Sequence, residues 1–278
     1  MPTNDHKARS RGPSLVVRFY LIAFNALSAA GWAYVIYLAL GVFIGQSASS
    51  SAYDFFKPLA SYVPTSVVAL FTPQSNTSNH FSTTLAYFLR PYFPVTYNST
   101  FFALGPVQSL AALEILHVLL GFVRSPLPTT VIQVSSRLIL VWGIVERFPH
   151  THSSPIYTTM VLAWALTEVP RYAYYALSLT GCGVPALLTW IRYSTFYVLY
   201  PIGAGSEALV MLSTIPEWNG GKWSAWGTED WVKAGMVAIW VPGLWMMYSH
   251  MMRMRRKVLG VGKGQKLGAK PKDRLKAE

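Results

Sequence analysis

The sequence predicts an all-α membrane protein, a polytopic bundle of about six transmembrane helices. Of its 278 residues, 52% are hydrophobic and only 12% are charged, whereas about 25% of the residues in a soluble domain are charged. Several apolar runs also approach the roughly 20 residues that a helix needs to cross a bilayer. The six predicted spans are Leu15–Ile44, Leu104–Val123, Val131–Val145, Tyr157–Leu179, Val184–Leu212 and Trp231–Met252.

The positive charge of the chain, +12 in all, is concentrated at its two ends. We therefore divide the chain into a basic N-terminus (1–14), a transmembrane domain (15–252) and a basic tail (253–278) that we expect to be disordered. Basic flanks are retained in the cytosol, and an even number of spans returns both termini to one side, so both termini are expected to be cytosolic. No folded basic surface or base-stacking module accompanies this charge, which argues against nucleic-acid binding.

The long connection between the first two spans, residues 45–101, is expected to be a lumenal insertion in the transmembrane domain. It contains acceptor sequences for N-glycosylation at Asn76 and Asn98. Its apolar stretch 61–71 contains a proline and is short, so we interpret it as interfacial or re-entrant. The chain has one cysteine, Cys182, which excludes an intrachain disulfide and a cysteine cluster for a metal.

Ionisable side chains inside the predicted spans are candidate functional groups, because each costs about 2.5–3.5 kcal/mol at the centre of a bilayer. Two pairs are three residues apart on one helix face, so each pair is interpreted either as an ion pair that stabilises the bundle or as one wall of a site. Pro170 is expected to kink the fourth span between the members of one pair. The candidates are Glu114, His117, Arg137, Glu168, Arg171, Arg192 and Glu207.

The segment HVLLGFVR, residues 117–124, has the outline of a phosphatase loop, H-C-x-x-G-x-x-R. Val118 stands where that loop has its nucleophilic cysteine. Without a thiolate there is no phosphocysteine chemistry, and the apolar composition predicts a helix here. We therefore predict no phosphatase activity.

The segment YPIGAGSE, residues 200–207, places a tyrosine and a carboxylate in an otherwise apolar span. Seven residues are about two helical turns, so Tyr200 and Glu207 point in nearly the same direction, about 10 Å apart along the axis. Pro201, Gly203 and Gly205 favour a bend, and small residues allow another helix or an acyl chain to approach closely. The spacing alone fits a pair that flanks a substrate, and it also fits a packing tyrosine with a carboxylate at the lumenal edge.

The sequence resembles the very-long-chain 3-hydroxyacyl-CoA dehydratases, membrane enzymes of the endoplasmic reticulum that are also called protein-tyrosine-phosphatase-like. The resemblance covers most of residues 19–215 and depends on AWALTEVPRYAYYALSL and LTWIRYSTFYVLYPIGAGSE. It implies a lyase that converts 3-hydroxyacyl-CoA to trans-2-enoyl-CoA in fatty acid elongation, which also supplies sphingolipid precursors. It implies that Tyr200 and Glu207 are the catalytic pair. The extended 45–101 connection and Pro170 depart from the family pattern and leave this pair unaffected.

The dehydration requires a base for the proton next to the thioester and an acid for the leaving hydroxyl. Physical chemistry favours Glu207 as the base and Tyr200 as the donor, and the resemblance also permits the reverse, with Arg171 or Arg192 as a neighbouring cation. No cofactor or metal is expected, since CoA is part of the substrate. The predicted substrate contacts are Arg171, Arg192, Arg124, Glu168 and Tyr193.

The resemblance also implies partners, namely the elongase, the 3-ketoacyl reductase and the enoyl reductase of the same cycle. Two alternatives remain open at this point. One is a catalytically silent scaffold of the elongation complex, because members of the family can lose activity and keep the fold. The other is a lipid-binding or transport membrane protein, which ionisable residues inside the spans also fit.

Overall fold

The computed structural model describes residues 14–45, 80–216 and 226–260, and all regular structure in these ranges is helical. This confirms the predicted fold class. The longer helices are α1 (Leu15–Phe43), α6 (Pro155–Thr180), α8 (Phe196–Leu212) and α9 (Thr228–Leu259). The shorter ones are α2 (His80–Leu89), α3 (Tyr97–Leu110), α4 (Ala112–Leu119), α5 (Leu127–Leu138) and α7 (Ala186–Ser194). A π-helical turn, Ile139–Val145, continues α5, and a 3-10 helix, Pro149–Ser153, precedes α6.

The core of the bundle is the antiparallel pair α1 and α6. At one end, Arg18 Nε in α1 donates to the carbonyl of Leu179 in α6 at 2.5 Å. Helix α3 packs on α1, α8 packs on α6, and α9 packs on α8. The interior between them is apolar and closely packed, which is the main source of stability for such a bundle. Its largest fully buried side chains include Trp32, Leu104, Leu140, Phe148, Tyr157 and Trp164.

Three segments of the described chain are long and apolar enough to cross a membrane, and the pair α7 and α8, which meet at 42°, is a fourth if it is one span. Helices α6 and α9 coincide with the fourth and sixth predicted spans and have 26 and 32 residues. They do not reach the same apolar character, so the predicted count of six is not confirmed. The three segments are Leu15–Phe43, Tyr97–Leu119 and Leu127–Val145.

Two breaks lie at positions that differ from the predictions. Helix α4 ends at Leu119, and Gly121 adopts φ +70°, so the segment 117–124 is a helix end followed by a turn and not one helix. Glycine takes this left-handed conformation without the steric cost that a side chain would add. The bend in the fifth span lies at Thr195, between α7 and α8, whereas α8 continues through Pro201.

Helix α9 continues to Leu259, beyond the predicted end of the last span at Met252. The predicted disorder therefore does not begin at residue 253. Met, Arg and Lys favour helix, and Arg255 Nε donates to Ser194 Oγ of α7 at 3.3 Å. The rest of the tail, most of the N-terminus, the apolar stretch 61–71 and Asn76 lie outside the described residues. Asn98 is exposed in the first turn of α3.

Glycine allows close approach between α1 and α3. A Cβ atom added to Gly31 would lie 2.8 Å from Cγ2 of Val107, which is shorter than van der Waals contact. A side chain at this position would therefore push the two helices apart or displace the valine. We therefore expect any substitution of Gly31 to lower the stability of the protein.

A cluster of charged side chains at the start of α9 contacts the segment before α6 and the end of α8. The buried ammonium of Lys233 lies 3.2 Å from Glu229 Oε1, 3.4 Å from Asp230 Oδ1 and 3.2 Å from the carbonyl of Thr214. Arg147 donates to both carboxylate oxygens of Glu229 at 3.2 Å. Burial raises the pKa of Glu229, but the charge of Lys233 and the hydrogen bonds from Lys233 and Arg147 outweigh it and hold that pKa below its ordinary value.

Candidate active site

The interior of the bundle between α4, α5 and α6 contains a network of ion pairs. Arg137 of α5 donates through Nη1 to Oε1 of Glu168 in α6. Arg171 Nε donates to the other oxygen of Glu168 at 2.5 Å. Arg171 also makes a two-point contact with Glu114 of α4, at 2.7 and 3.2 Å, and Tyr172 Oη donates to Glu114 at 2.5 Å. The charges of two arginines and two glutamates are thus neutralised across three helices.

The two predicted pairs three residues apart differ in the structure. Glu168 and Arg171 do form an ion pair, and the Glu168 side chain is only 4% exposed with both oxygens occupied. The pairing of Glu114 with His117 is not observed. His117 Nε2 instead lies 2.9 Å from Tyr20 Oη of α1, and the imidazole packs edge-on against Phe24 at 4.7 Å between ring centres.

Glu207 lies beside this network and is held by two tryptophans. The indole N–H of Trp164 in α6 donates to Oε1 of Glu207 at 2.6 Å, and that of Trp240 in α9 donates to Oε2 at 3.2 Å. Both donors suit the ionised carboxylate, which only accepts hydrogen bonds. Because the two donors come from different helices, α6 and α9, they fix the orientation of the carboxylate.

Close packing of α8 against α6 positions Glu207. A Cβ on Gly203 would lie 3.5 Å from Cβ of Ala163, an ordinary contact distance, so the two helix backbones approach closely here. One turn later, Ser206 Oγ and Thr159 Oγ1 share a hydrogen bond at 2.8 Å. This close contact brings the indole of Trp164 within reach of the carboxylate.

Tyr200 lies two turns before Glu207 on the same unbroken helix α8 and is half-buried. Within the described residues its hydroxyl has no hydrogen-bond partner. Arg137 interacts electrostatically with both Tyr200 and Glu207. Arg137 and Glu207 both contact the indole of Trp164, and we refer to these two groups and the Tyr200 hydroxyl as the polar site between α5, α6 and α8.

The other predicted contacts lie elsewhere. Arg192 is surrounded by tyrosine rings, with its guanidinium carbon 4.2 Å from the ring centres of both Tyr174 and Tyr175 and 5.1 Å from that of Tyr193. Its Nη2 donates to Tyr175 Oη at 2.8 Å, and Nη1 is buried without a partner in the described part of the chain. Arg124 is exposed in the turn after α4. No hydrogen bond or ion pair within the described ranges joins either arginine to Tyr200 or Glu207.

The sequence prediction missed two residues of the site, Trp164 and Trp240, and the contacts of a third, Arg137. Arg137 was recognised as an ionisable residue within a span, but its neighbours on other helices were not predictable. Trp164 and Trp240 carried no signal, because the chain has 10 tryptophans, most of which are expected at membrane interfaces.

An apolar groove of about 410 Å³ lies between α1, α6 and the α7–α8 bend. Its α6 residues are on the face of that helix that points away from Glu168, so the groove is separate from the polar site. It is lined by Ile36, Leu166, Val169, Pro170, Ile191, Thr195, Val198 and Leu199.

Comparison with known proteins gives consistent matches. Residues 108–261 match the family described as Protein tyrosine phosphatase-like protein, PTPLA. The chain is 46% identical over 153 residues to the "Probable very-long-chain (3R)-3-hydroxyacyl-CoA dehydratase" of Schizosaccharomyces pombe, which covers 55% of this chain and 71% of that protein. It is 30% identical over 260 residues to "Very-long-chain (3R)-3-hydroxyacyl-CoA dehydratase PASTICCINO 2" of Arabidopsis thaliana, which covers 90% of this chain and 97% of that protein. No solved structure matches the chain.

Proposed function

The chain belongs to the protein tyrosine phosphatase-like protein family, and we propose that it is a hydro-lyase that removes water from very-long-chain (3R)-3-hydroxyacyl-CoA. Its relatives are named as very-long-chain (3R)-3-hydroxyacyl-CoA dehydratases. The observation that carries the proposal is the Glu207 carboxylate, held by two indole donors two turns after Tyr200 on one helix. This arrangement supplies a fixed base and a free hydroxyl donor.

The reaction needs one proton removed and one supplied. The C2–H bond next to the thioester breaks, the C2=C3 double bond forms, and the C3–O bond breaks to release water. The products are trans-2-enoyl-CoA and water. A positioned base and a positioned acid each contribute about 10²–10⁴-fold to such a rate.

We assign the base to Glu207 and the acid to Tyr200. Both indole N–H groups donate to Glu207 and suit its ionised form, as a base requires. The Tyr200 hydroxyl has no partner among the described residues and is available to donate to the 3-hydroxyl. After water leaves, Glu207 loses its proton to solvent and Tyr200 takes one up from solvent, which restores both groups.

The remaining predicted residues receive supporting roles. Glu168 and Arg171 hold the ion-pair network in place, since their charges already neutralise each other. Arg192 retains one guanidinium nitrogen without a partner within the described ranges, and we assign it, with its neighbour Tyr193 and the exposed Arg124, to the CoA phosphates. Arginine is well suited to phosphate recognition. CoA is the substrate's own handle, and the proposed reaction uses no further cofactor.

The membrane character of the helices is consistent with an apolar substrate. We propose that the protein lies in the endoplasmic reticulum membrane with both termini in the cytosol, where CoA esters are delivered. A dehydratase of this class takes its substrate from a 3-ketoacyl-CoA reductase and passes its product to an enoyl-CoA reductase. We therefore propose these enzymes and the elongase as partners.

The test is whether the full chain in detergent converts (3R)-3-hydroxypalmitoyl-CoA. Product formation is measured by the ultraviolet absorbance of the enoyl thioester. We expect Tyr200→Phe and Glu207→Gln each to lower kcat by about 10²–10⁴-fold. Matched controls are Tyr197→Phe, an exposed tyrosine on the same helix, and Glu146→Gln, whose carboxylate accepts from Tyr97. Both controls are expected to keep the wild-type rate.

Two results would contradict the proposal. If wild type converts no 3-hydroxyacyl-CoA of any chain length tried, the chain is not a dehydratase. If wild type is active and both site variants retain its rate while folded, the reaction takes place elsewhere in the protein.

A further inference from the structure

The indole of Trp164 contacts both Arg137 and Glu207. The guanidinium carbon lies 5.0 Å from the centre of the Trp164 ring. The N–H of the same ring donates to Glu207 Oε1 at 2.6 Å. The guanidinium therefore stacks on the side chain that orients the proposed base, and it is the cation of the ion-pair network that borders the site.

Arg137 has hydrogen-bond donors to spare. A guanidinium carries five N–H groups in a planar fork. Within the described residues, the hydrogen bond of Arg137 runs from Nη1 to Glu168. The side chain retains 26% of its accessible surface although Glu168 beneath it is almost fully covered. The remaining N–H groups are thus open to a ligand in the polar site.

The network holds these donors in a fixed direction. Glu168 binds Arg137 with one oxygen and Arg171 with the other, and Arg171 is in turn held by Glu114. Such preorganised donors cost no reorganisation when charge develops on a bound group, which makes them effective in catalysis. A guanidinium with a fixed orientation and free donors is a site for an oxygen that becomes negative.

We propose, on the basis of the dehydratase function above, that Arg137 donates a hydrogen bond to the thioester carbonyl oxygen of the bound acyl-CoA. When Glu207 takes the C2 proton, the electrons of the C2–H bond form a C1=C2 bond, and the carbonyl π electrons move onto the oxygen beside Arg137. The electrons on the oxygen then reform the carbonyl, the C1=C2 electrons form the C2=C3 bond, and the C3–O bond breaks. The hydroxyl leaves with a proton from Tyr200 as water, and proton exchange with solvent then restores Glu207 and Tyr200.

The contribution of the carbonyl to binding can be measured with two ligands that the protein cannot dehydrate. Palmitoyl-CoA has the thioester carbonyl, and S-hexadecyl-CoA is the matched thioether without it. Dissociation constants are measured for the full chain in detergent. We expect wild type to prefer palmitoyl-CoA by about 10- to 100-fold, the range of one hydrogen bond to a charged group, and Arg137→Gln to reduce this preference to about threefold or less.

Two further variants control for folding. Arg137→Lys keeps a charge opposite Glu168 but loses the planar fork, so it is expected to fold and to lose most of the preference. Arg147→Gln breaks an arginine–carboxylate contact at Glu229, in the separate Lys233 cluster, and is expected to keep the preference. In turnover, Arg137→Gln should lower kcat much more than it changes KM, and deuterium at C2 should slow the variant more than wild type.

Each result bears on the proposal. If Arg137→Gln weakens both ligands equally, or keeps the preference of wild type, Arg137 has a structural role and does not bind the carbonyl. The same holds if folded wild type has no preference between the two ligands. Failure of wild type to dehydrate any 3-hydroxyacyl-CoA instead rejects the proposed function itself, whereas active wild type with an unchanged preference in the variant rejects only the role of Arg137.

Discussion

Replacing Trp164 by phenylalanine removes the 2.6 Å hydrogen bond to Oε1 of Glu207 and keeps an aromatic ring in the same place. A hydrogen bond to a charged group contributes about 1.5–3 kcal/mol, and about 1.4 kcal/mol corresponds to a tenfold change in rate. We therefore expect kcat/KM for dehydration to fall about 10- to 150-fold. Much of this loss is orientation, because a base displaced by about 1 Å can cost 10²-fold.

The second donor provides an internal comparison. Trp240 donates to Glu207 over a longer distance, 3.2 Å, so Trp240→Phe should cost less, about tenfold or below. Trp142→Phe is the matched control, since its indole N–H donates to Ser109 Oγ at 3.1 Å, outside the polar site. All three variants are compared with wild type for thermal unfolding in detergent and then for kcat/KM. Equal rates for wild type, Trp164→Phe and Trp142→Phe would refute the idea that the indoles orient the catalytic carboxylate.

Three further predictions concern stability. Glu168→Gln leaves two arginines under-paired and should lower the free energy of unfolding by about 3–5 kcal/mol; an unchanged denaturation midpoint would contradict this. Gly31→Ala should destabilise by about 1–3 kcal/mol, and Val107→Ala in the same chain should recover part of that loss; no recovery would place the strain elsewhere. Burial raises the pKa of Glu229, but the charge of Lys233 outweighs this effect and holds that pKa below 4.5. The ionised form of Glu229 therefore stabilises the fold above about pH 4.5, and this stabilisation is lost as the pH falls through the lowered pKa. Wild type should therefore melt at a higher temperature than Glu229→Gln at pH 6, and this difference should shrink as the pH is lowered below 4.5. A difference that stays constant would show that Glu229 does not titrate in this way.

The helical class and the Glu168–Arg171 pair were predictable because they depend on local periodicity within one helix. The bend at Thr195 was not, since Pro201 lies close to it and is the stronger helix breaker. The partners of His117 depend on how α1 and α4 are rotated against each other, which their separate sequences do not specify. The roles of Tyr200 and Glu207, and the number of membrane spans, stay predictions.

The charge balance of the polar site gives a reason for the buried network. Two arginines face three carboxylates, and within the described residues the arginine charges are neutralised by Glu114 and Glu168. Within the described ranges, the hydrogen-bond donors to Glu207 are the two neutral indoles. It is therefore the carboxylate that can gain and lose a proton without breaking a buried ion pair, a step that would cost several kcal/mol. The network fixes the cations close to the site and leaves Glu207 outside the ion pairs, as its proposed role as the base requires.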